Sequence, residues 1–213
     1  MTAAAPSTAE RTVATSHGSA VVLLDEVPRP AFLLALTHGA AGGVAAPDLL
    51  ATRGAALAAG GAVARVVQPY RVRGARAPGS ASRQDAAWIE VIATLWRAVD
   101  AIPLIQGGRS NGARLACRTA PQVGARAVIA LAFPLHPPGH PERSRAGELA
   151  SAGTAALVIN GDRDPFGVPE EIKLSRVVVL PGETHALTRC PAAIGDAVTA
   201  WLPEVLTGLT SAG

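Results

Sequence analysis

Short apolar runs closed by glycine, proline or a polar turn alternate along the chain with stretches whose apolar residues recur at helical spacing. AFLLALTHG, residues 31–39, is such a run, and it predicts a strand buried on both faces. PDLLATRGAALAAGG, residues 47–61, predicts a helix, with Pro47 acceptable in the first turn and a glycine pair as the stop. AVARVVQPY, residues 62–70, is the next strand, followed by a loop rich in Gly, Pro, Ser and Arg from 71 to about 82. From 84 to 100, Trp88, Ile89, Val91, Ile92, Leu95, Trp96 and Val99 fall at helical spacing, so the tryptophans are expected in the core. IPLIQGG then gives a strand, NGARLACRTA a helix and RAVIALAFP another strand. A loop of Pro, Gly and His over 134–147, a strand AALVING, a turn DRDPFG, a strand RVVVLPG and a last helix over 191–206 complete the series. Near the start, two β-rich pieces around SHGS in residues 11–27 predict a hairpin. Strands and helices in alternation imply a parallel sheet covered by helices, an α/β fold. There is no internal repeat and no room for a separate cap domain.

A chain of 213 residues buries most of its apolar surface around one core. One domain over residues 11–207 is therefore expected, between flexible tails at 1–10 and 208–213. With 49% hydrophobic residues and a mean hydropathy of +0.28, the chain is too apolar to be disordered.

Charge narrows the classes of partner. The net charge is only +3, the arginines are scattered and aromatics make up 3%, so the sequence lacks the clustered cations and stacking platforms of a nucleic-acid binder. No apolar run reaches the ~20 residues that span a bilayer, and the first ten residues lack the form of a signal peptide. A cytoplasmic protein, monomeric or homodimeric, with no nucleic-acid or membrane partner, is expected. Cys117 and Cys190 form no paired motif and are expected as free thiols. His136 and His140 in FPLHPPGHPE are four apart, but the intervening prolines keep a helix from aligning them on a metal. No metal or cofactor is called for.

The chemistry gathers around residues 108–112, GRSNG, a match to GxSxG. That pattern is weak in a chain with 22 glycines, but here a buried strand precedes the serine and a helix follows it, as a nucleophile elbow needs. A nucleophilic serine needs a base and an orienting acid, which in this arrangement follow in the order Ser, Asp, His. LVINGDRDPFG places acids at a strand end, and Asp164 is preferred to Asp162 because it lies further into the loop that must reach a histidine. His185, in PGETHAL, is the only histidine after Asp164. The oxyanion donors would be the backbone N–H groups of Asn111, next to the serine, and of Ala40, in THGAAGG. His38 is expected to shape that loop through hydrogen bonds. Arg109, before the serine, stands where a cation would meet an anionic substrate group, and His136 and Tyr70 are further candidates for substrate contact.

Taken together, LTHGA, QPYRVRG, GGRSNGAR, FPLHPPG and GDRDPFG resemble a small alpha/beta hydrolase of the dienelactone-hydrolase-like kind, in a cap-less branch. That branch is similar to the hydrolase-like domain of a regulatory subunit of a histone acetyltransferase complex. The resemblance covers roughly residues 11–206. It implies an alpha/beta-hydrolase fold with a mostly parallel, doubly wound sheet and a Ser110, Asp164, His185 triad, and it implies little about substrate. Such a triad is expected to cleave a small ester or thioester through an acyl-enzyme. The rival expectations are a non-catalytic interaction domain on the same fold, and an acyltransferase or cyclase using the same triad.

Overall fold

A computed structural model of the protein describes residues 7–97 and 102–210. Eight strands form one sheet in the order β1-β2-β4-β3-β5-β6-β7-β8. These are β1 (Ser7–Thr15), β2 (Gly18–Glu26), β3 (Leu33–Thr37), β4 (Ala62–Val67), β5 (Leu104–Arg109), β6 (Ala127–Leu131), β7 (Ala155–Gly161) and β8 (Ser175–Leu180). The β1–β2 hairpin is antiparallel and joins β4 antiparallel, while every pair from β4 through β8 is parallel. This is the parallel α/β sheet that the alternation predicts, with the doubly wound order that the resemblance implies.

The helices explain why the central strands are apolar at every position. Side chains alternate between faces along a strand. In β3, Leu33 and Ala35 join one core cluster with Trp88, Val91 and Ile92 of α3 (Ala81–Arg97) and Leu115 of α4 (Asn111–Val123). Leu34 and Leu36 join the other, with Leu49 of α1 (Pro47–Ala58) and Ile194, Val198, Trp201 and Leu202 of α6 (Pro191–Thr210). Trp88 also donates its indole N–H to Gln106 Oε1 at 2.7 Å, so a buried polar pair pins α3 to β5.

Several boundaries differ from the sequence reading. Ser7–Glu10, expected in a flexible tail, belong to β1 and pair with Glu26 through Leu23; residues 1–6 lie outside the described residues. The strand expected over 62–70 stops at Val67, because Pro69 opens a short helix, α2 (Pro69–Val72), as a residue with preset φ and no N–H does at a first turn. The helix expected over 84–100 begins at Ala81 and runs to Arg97, and residues 98–100 lie outside the described residues. A one-turn helix, α5 (Ala146–Ala150), starts within the loop expected over 134–147. The last helix extends to Thr210, into the stretch expected as a tail from 208. Among the described residues no helix is long and apolar enough to cross a membrane.

Candidate active site

The carboxyl ends of β3, β5, β7 and β8 converge at one edge of the sheet, where open parallel sheets place their ligand sites. Ser110 sits between β5 and α4 with φ 54° and ψ −112°, a backbone conformation that costs a non-glycine residue about 1–3 kcal/mol. A Cβ on Gly108 would lie 2.7 Å from the Thr37 carbonyl oxygen, and one on Gly112 would lie 2.8 Å from those of Thr37 and His38. The two glycines of GxSxG thus let the elbow pack directly on the end of β3. The Ser110 N–H donates to the Leu131 carbonyl at 2.8 Å, anchoring the turn to β6.

His185 Nε2 lies 2.8 Å from Ser110 Oγ, and His185 Nδ1 lies 2.8 Å from Asp164 Oδ2. A carboxylate only accepts, so Nδ1 carries the proton and Nε2 presents its lone pair to the serine hydroxyl. Asp164 is buried, and its other oxygen accepts the Phe166 N–H at 2.9 Å. Asp162, two residues earlier, is exposed and accepts the Gly182 N–H at 2.7 Å instead. Asn160, fully buried at the end of β7, exchanges bonds with the Phe133 backbone at 2.9 and 3.0 Å and donates to the Gly167 carbonyl at 3.2 Å. It fixes the loop that carries Asp164. The His185 loop is braced in the same way by Glu183, buried, whose Oε1 accepts the N–H groups of Arg189 and Cys190 at 2.7 and 2.6 Å.

A family model described as an alpha/beta hydrolase domain matches residues 30–187. The chain belongs to the alpha/beta hydrolase family. Among solved structures, this alpha/beta hydrolase is similar to Est1E from Butyrivibrio proteoclasticus, at 16% identity and a TM-score of 0.74, over 93% of this chain and 99% of that one. It is similar to a lid-less serine hydrolase from Xanthomonas campestris at 19% identity and a TM-score of 0.73, over 92% of this chain and 95% of that one. It is likewise similar to a dienelactone hydrolase from Anabaena variabilis at 15% identity and a TM-score of 0.73, over 93% and 98%. At these identities the likeness is one of fold. No curated protein matches the sequence.

Around the hydrolase's serine, His38 behaves as its sequence position suggests. It is fully buried, its Nδ1 donates to the Gly39 carbonyl at 2.8 Å, and its Nε2 accepts the Gln68 N–H at 3.1 Å. Both ring nitrogens are thereby assigned in the neutral form, and burial lowers its pKa below the usual histidine value. The Ala40 carbonyl, in the same loop, accepts the Tyr70 hydroxyl at 3.0 Å, and the Asn111 side chain donates to Gln84 Oε1 at 2.6 Å. Gly39 lets this loop approach the elbow, since a Cβ there would stand 3.3 Å from that of Ser110.

Three expectations about substrate contact change. Arg109 is not a cation held out for an anionic group. Its Nε lies 2.8 Å from Oδ2 of Asp48, a fully buried carboxylate in the first turn of α1, and its Nη2 donates to the His185 carbonyl at 2.7 Å. Tyr70 is buried and engaged with Ala40, so its hydroxyl acts first on the loop. His136 packs on the Asp164 loop, donating its backbone N–H to the Phe166 carbonyl at 2.9 Å and bringing its ring against Gly167. Phe166 in turn stacks on His185 with ring centroids 4.2 Å apart.

Asp48, Gln84, Asn160, Phe166 and Glu183 did not stand out in the sequence as site residues. Phe166 alone had a signal, its place two residues after Asp164 in GDRDPFG. Cys117 is buried, with its thiol pushed up to about 12 by desolvation, which removes it as a nucleophile. Cys190 is exposed.

Proposed function

We propose that the protein is a serine hydrolase that cleaves a small ester or thioester through an acyl-enzyme. The observation that carries this reading is the unbroken run of two 2.8 Å contacts from Asp164 through His185 to Ser110, ending on a serine held at positive φ. Ser110 Oγ attacks the carbonyl carbon while His185 Nε2 takes its proton, and Asp164 stabilises the imidazolium that forms. The N–H groups of Ala40 and Asn111 receive the charge that develops on the carbonyl oxygen. His185 then protonates the departing alcohol or thiol. In the second half, water gives its proton to His185 and attacks the acyl carbon, which frees Ser110. All of these groups belong to the protein, so the reaction needs no metal or cofactor. The rival reading is a non-catalytic interaction module on the same fold. The aligned Ser110, His185 and Asp164 favour the hydrolase.

A fluorophosphonate probe is the direct test. Labelling of one peptide, the one containing Ser110, together with turnover of a short-chain aryl ester is the expected result. An unlabelled protein that cleaves no such ester would overturn the assignment and return the chain to the interaction class.

In this reading Arg109 is a positioning residue. It joins the nucleophile's strand, helix α1 and the backbone of His185 through one guanidinium. Burial raises the Asp48 carboxyl above the ordinary range, and the Arg109 charge opposes that shift, so the pair stands or falls together. Arg109→Met alone orphans a buried carboxylate and is expected to cost about 3–5 kcal/mol of stability. The double variant Asp48→Asn with Arg109→Met removes both charges. It is expected to recover most of the melting temperature yet remain roughly 10²-fold down in kcat with KM little changed, the signature of a displaced base. Wild-type kcat in the double variant would reduce Arg109 to a stability role.

A further inference from the structure

One aromatic side chain touches the base, and no step of the reaction above uses it. The ring of Phe166 lies against the imidazole of His185 with centroids 4.2 Å apart and planes inclined by 34°, a tilted stack that lays a π face over the base. The local sequence explains the placement. Residues 164–167, DPFG, form a turn closed by the Gly167 N–H on the Asp164 carbonyl at 3.0 Å, with proline second and glycine fourth, the preferences of a type I turn. Gly167 stands at φ 80°, and a Cβ there would lie 2.5 Å from His136 Nε2. One tight turn therefore carries both the acid that holds His185 Nδ1 and the ring that lies on the imidazole.

The turn does not need the ring to keep its shape. The Phe166 N–H donates to Asp164 Oδ1 at 2.9 Å, the Phe166 carbonyl accepts the His136 N–H at 2.9 Å, and Asn160 Nδ2 donates to the Gly167 carbonyl at 3.2 Å. None of these bonds uses the Phe166 side chain. Nor is the ring placed by the core, for Phe166 is half-buried and joins neither apolar cluster, whereas Phe32 and Phe133 are fully buried within them. The charged groups around His185 are engaged independently of it. Asp164 Oδ2 stands 2.8 Å from Nδ1, the Arg109 guanidinium reaches the His185 carbonyl at 2.7 Å, and Glu183 of the same loop turns its Oε1 to the N–H groups of Arg189 and Cys190. His136, from the loop after β6, brings its ring against Gly167.

Resting on the hydrolase reading above, we propose that Phe166 is a positioning residue for the base: its ring fixes the plane of the His185 imidazole, and its π face stabilises the imidazolium formed when Ser110 gives up its proton. The second role follows from electrostatics. A benzene ring is negative over its faces, and a cation within about 6 Å of its centroid is attracted to it. In the resting protein the imidazole is neutral, with its proton on Nδ1, so this attraction is small. It grows when Nε2 takes the Ser110 hydroxyl proton in acylation, and again when Nε2 takes a proton from the attacking water. An interaction made on the way to the transition state and absent from the ground state raises kcat and leaves KM alone.

Phenylalanines bearing one, two or three ring fluorines, incorporated at position 166 of the full chain, keep the shape of the side chain and drain its negative face stepwise. On a short-chain aryl ester, log kcat is expected to fall steadily along that series while KM stays within about 2-fold. Phe166→Leu keeps apolar bulk without a π face and is expected to lose roughly 10-fold in kcat, whereas Phe166→Tyr keeps the face and should stay within about 3-fold of the wild type. The pH profile carries the sign. A less stabilised imidazolium sheds its proton more readily, so the acidic limb of kcat/KM in Phe166→Leu is expected to move to lower pH by about 1, the equivalent of a 10-fold loss. A ring that only excludes water predicts the opposite, since the smaller leucine would admit solvent and move the limb to higher pH. A flat fluorine series, or an acidic limb that stays in place or moves to higher pH, would overturn the proposal, while probe labelling at Ser110 would keep the hydrolase reading. A wild-type protein neither labelled nor active would overturn both.

Discussion

Ser110→Ala is expected to remove turnover of a short-chain aryl ester almost entirely, by roughly 10⁶-fold in kcat, since a triad acts as a unit and loses most of its effect with its nucleophile. What remains should be the background that oriented backbone donors and binding alone provide, roughly 10³-fold or more above the reaction in water. The same variant should fold as the wild type does, because alanine keeps the Cβ and only a hydroxyl that contacts His185 is lost. Ser110→Gly separates catalysis from strain. It also abolishes the reaction, but glycine adopts φ 54° without penalty, so it is expected to gain about 1–3 kcal/mol, less whatever its unfolded chain gains in entropy. Thermal melts of the three proteins beside aryl-ester kinetics check both statements. An alanine variant retaining a tenth of the wild-type rate would place the nucleophile elsewhere.

Asp164→Asn carries the second large effect. The substituted amide can present its NH₂ group to His185 Nδ1, which favours the imidazole tautomer with its proton on Nε2, facing the serine. With no lone pair to accept the hydroxyl proton, kcat is expected to fall by roughly 10⁴-fold while the protein stays folded. Asp162→Asn is the matched control. That carboxylate is exposed and bonded to the Gly182 N–H, so its variant should remain within a few-fold of the wild type. Steady-state kinetics on the same ester should separate the two by orders of magnitude. Equal and mild losses would remove Asp164 from the acid's role.

The parts of the site readable in the sequence are those that depend on neighbours along the chain. GxSxG between a strand and a helix, an acid in the loop after β7 and a histidine in the loop after β8 are local patterns, and the burial of β3 on both faces follows from its unbroken apolar run. The tie of Arg109 to Asp48 was not legible, because Asp48 sits 61 positions earlier in a helix whose side chains meet the elbow only once the sheet has formed. Gln84 escaped notice for the same reason, since its bond to Asn111 joins two elements that nothing in the linear text connects. Ser7–Glu10 read as a tail because STAE is small and polar, yet a hairpin ladder takes its length from its partner strand, and β2 supplies pairing out to Glu26. Pro69 misled in the other direction, ending a strand that the β-rich residues before it had suggested would run on, and opening a helix turn instead.

The order of the site residues along the chain has its own consequence for how activity arises during synthesis. Ser110 and His185 are 75 residues apart, and the β3–β5 ladder that supports the serine already pairs Leu33 with Leu104. On the proposed hydrolase reading, the ribosome completes the nucleophile well before the base, and a nascent chain ending short of β8 holds its serine without the imidazole that would arm it. Long-range parallel pairing is also slow to form. On that reading, chemical competence waits for β8 and the loop that follows it.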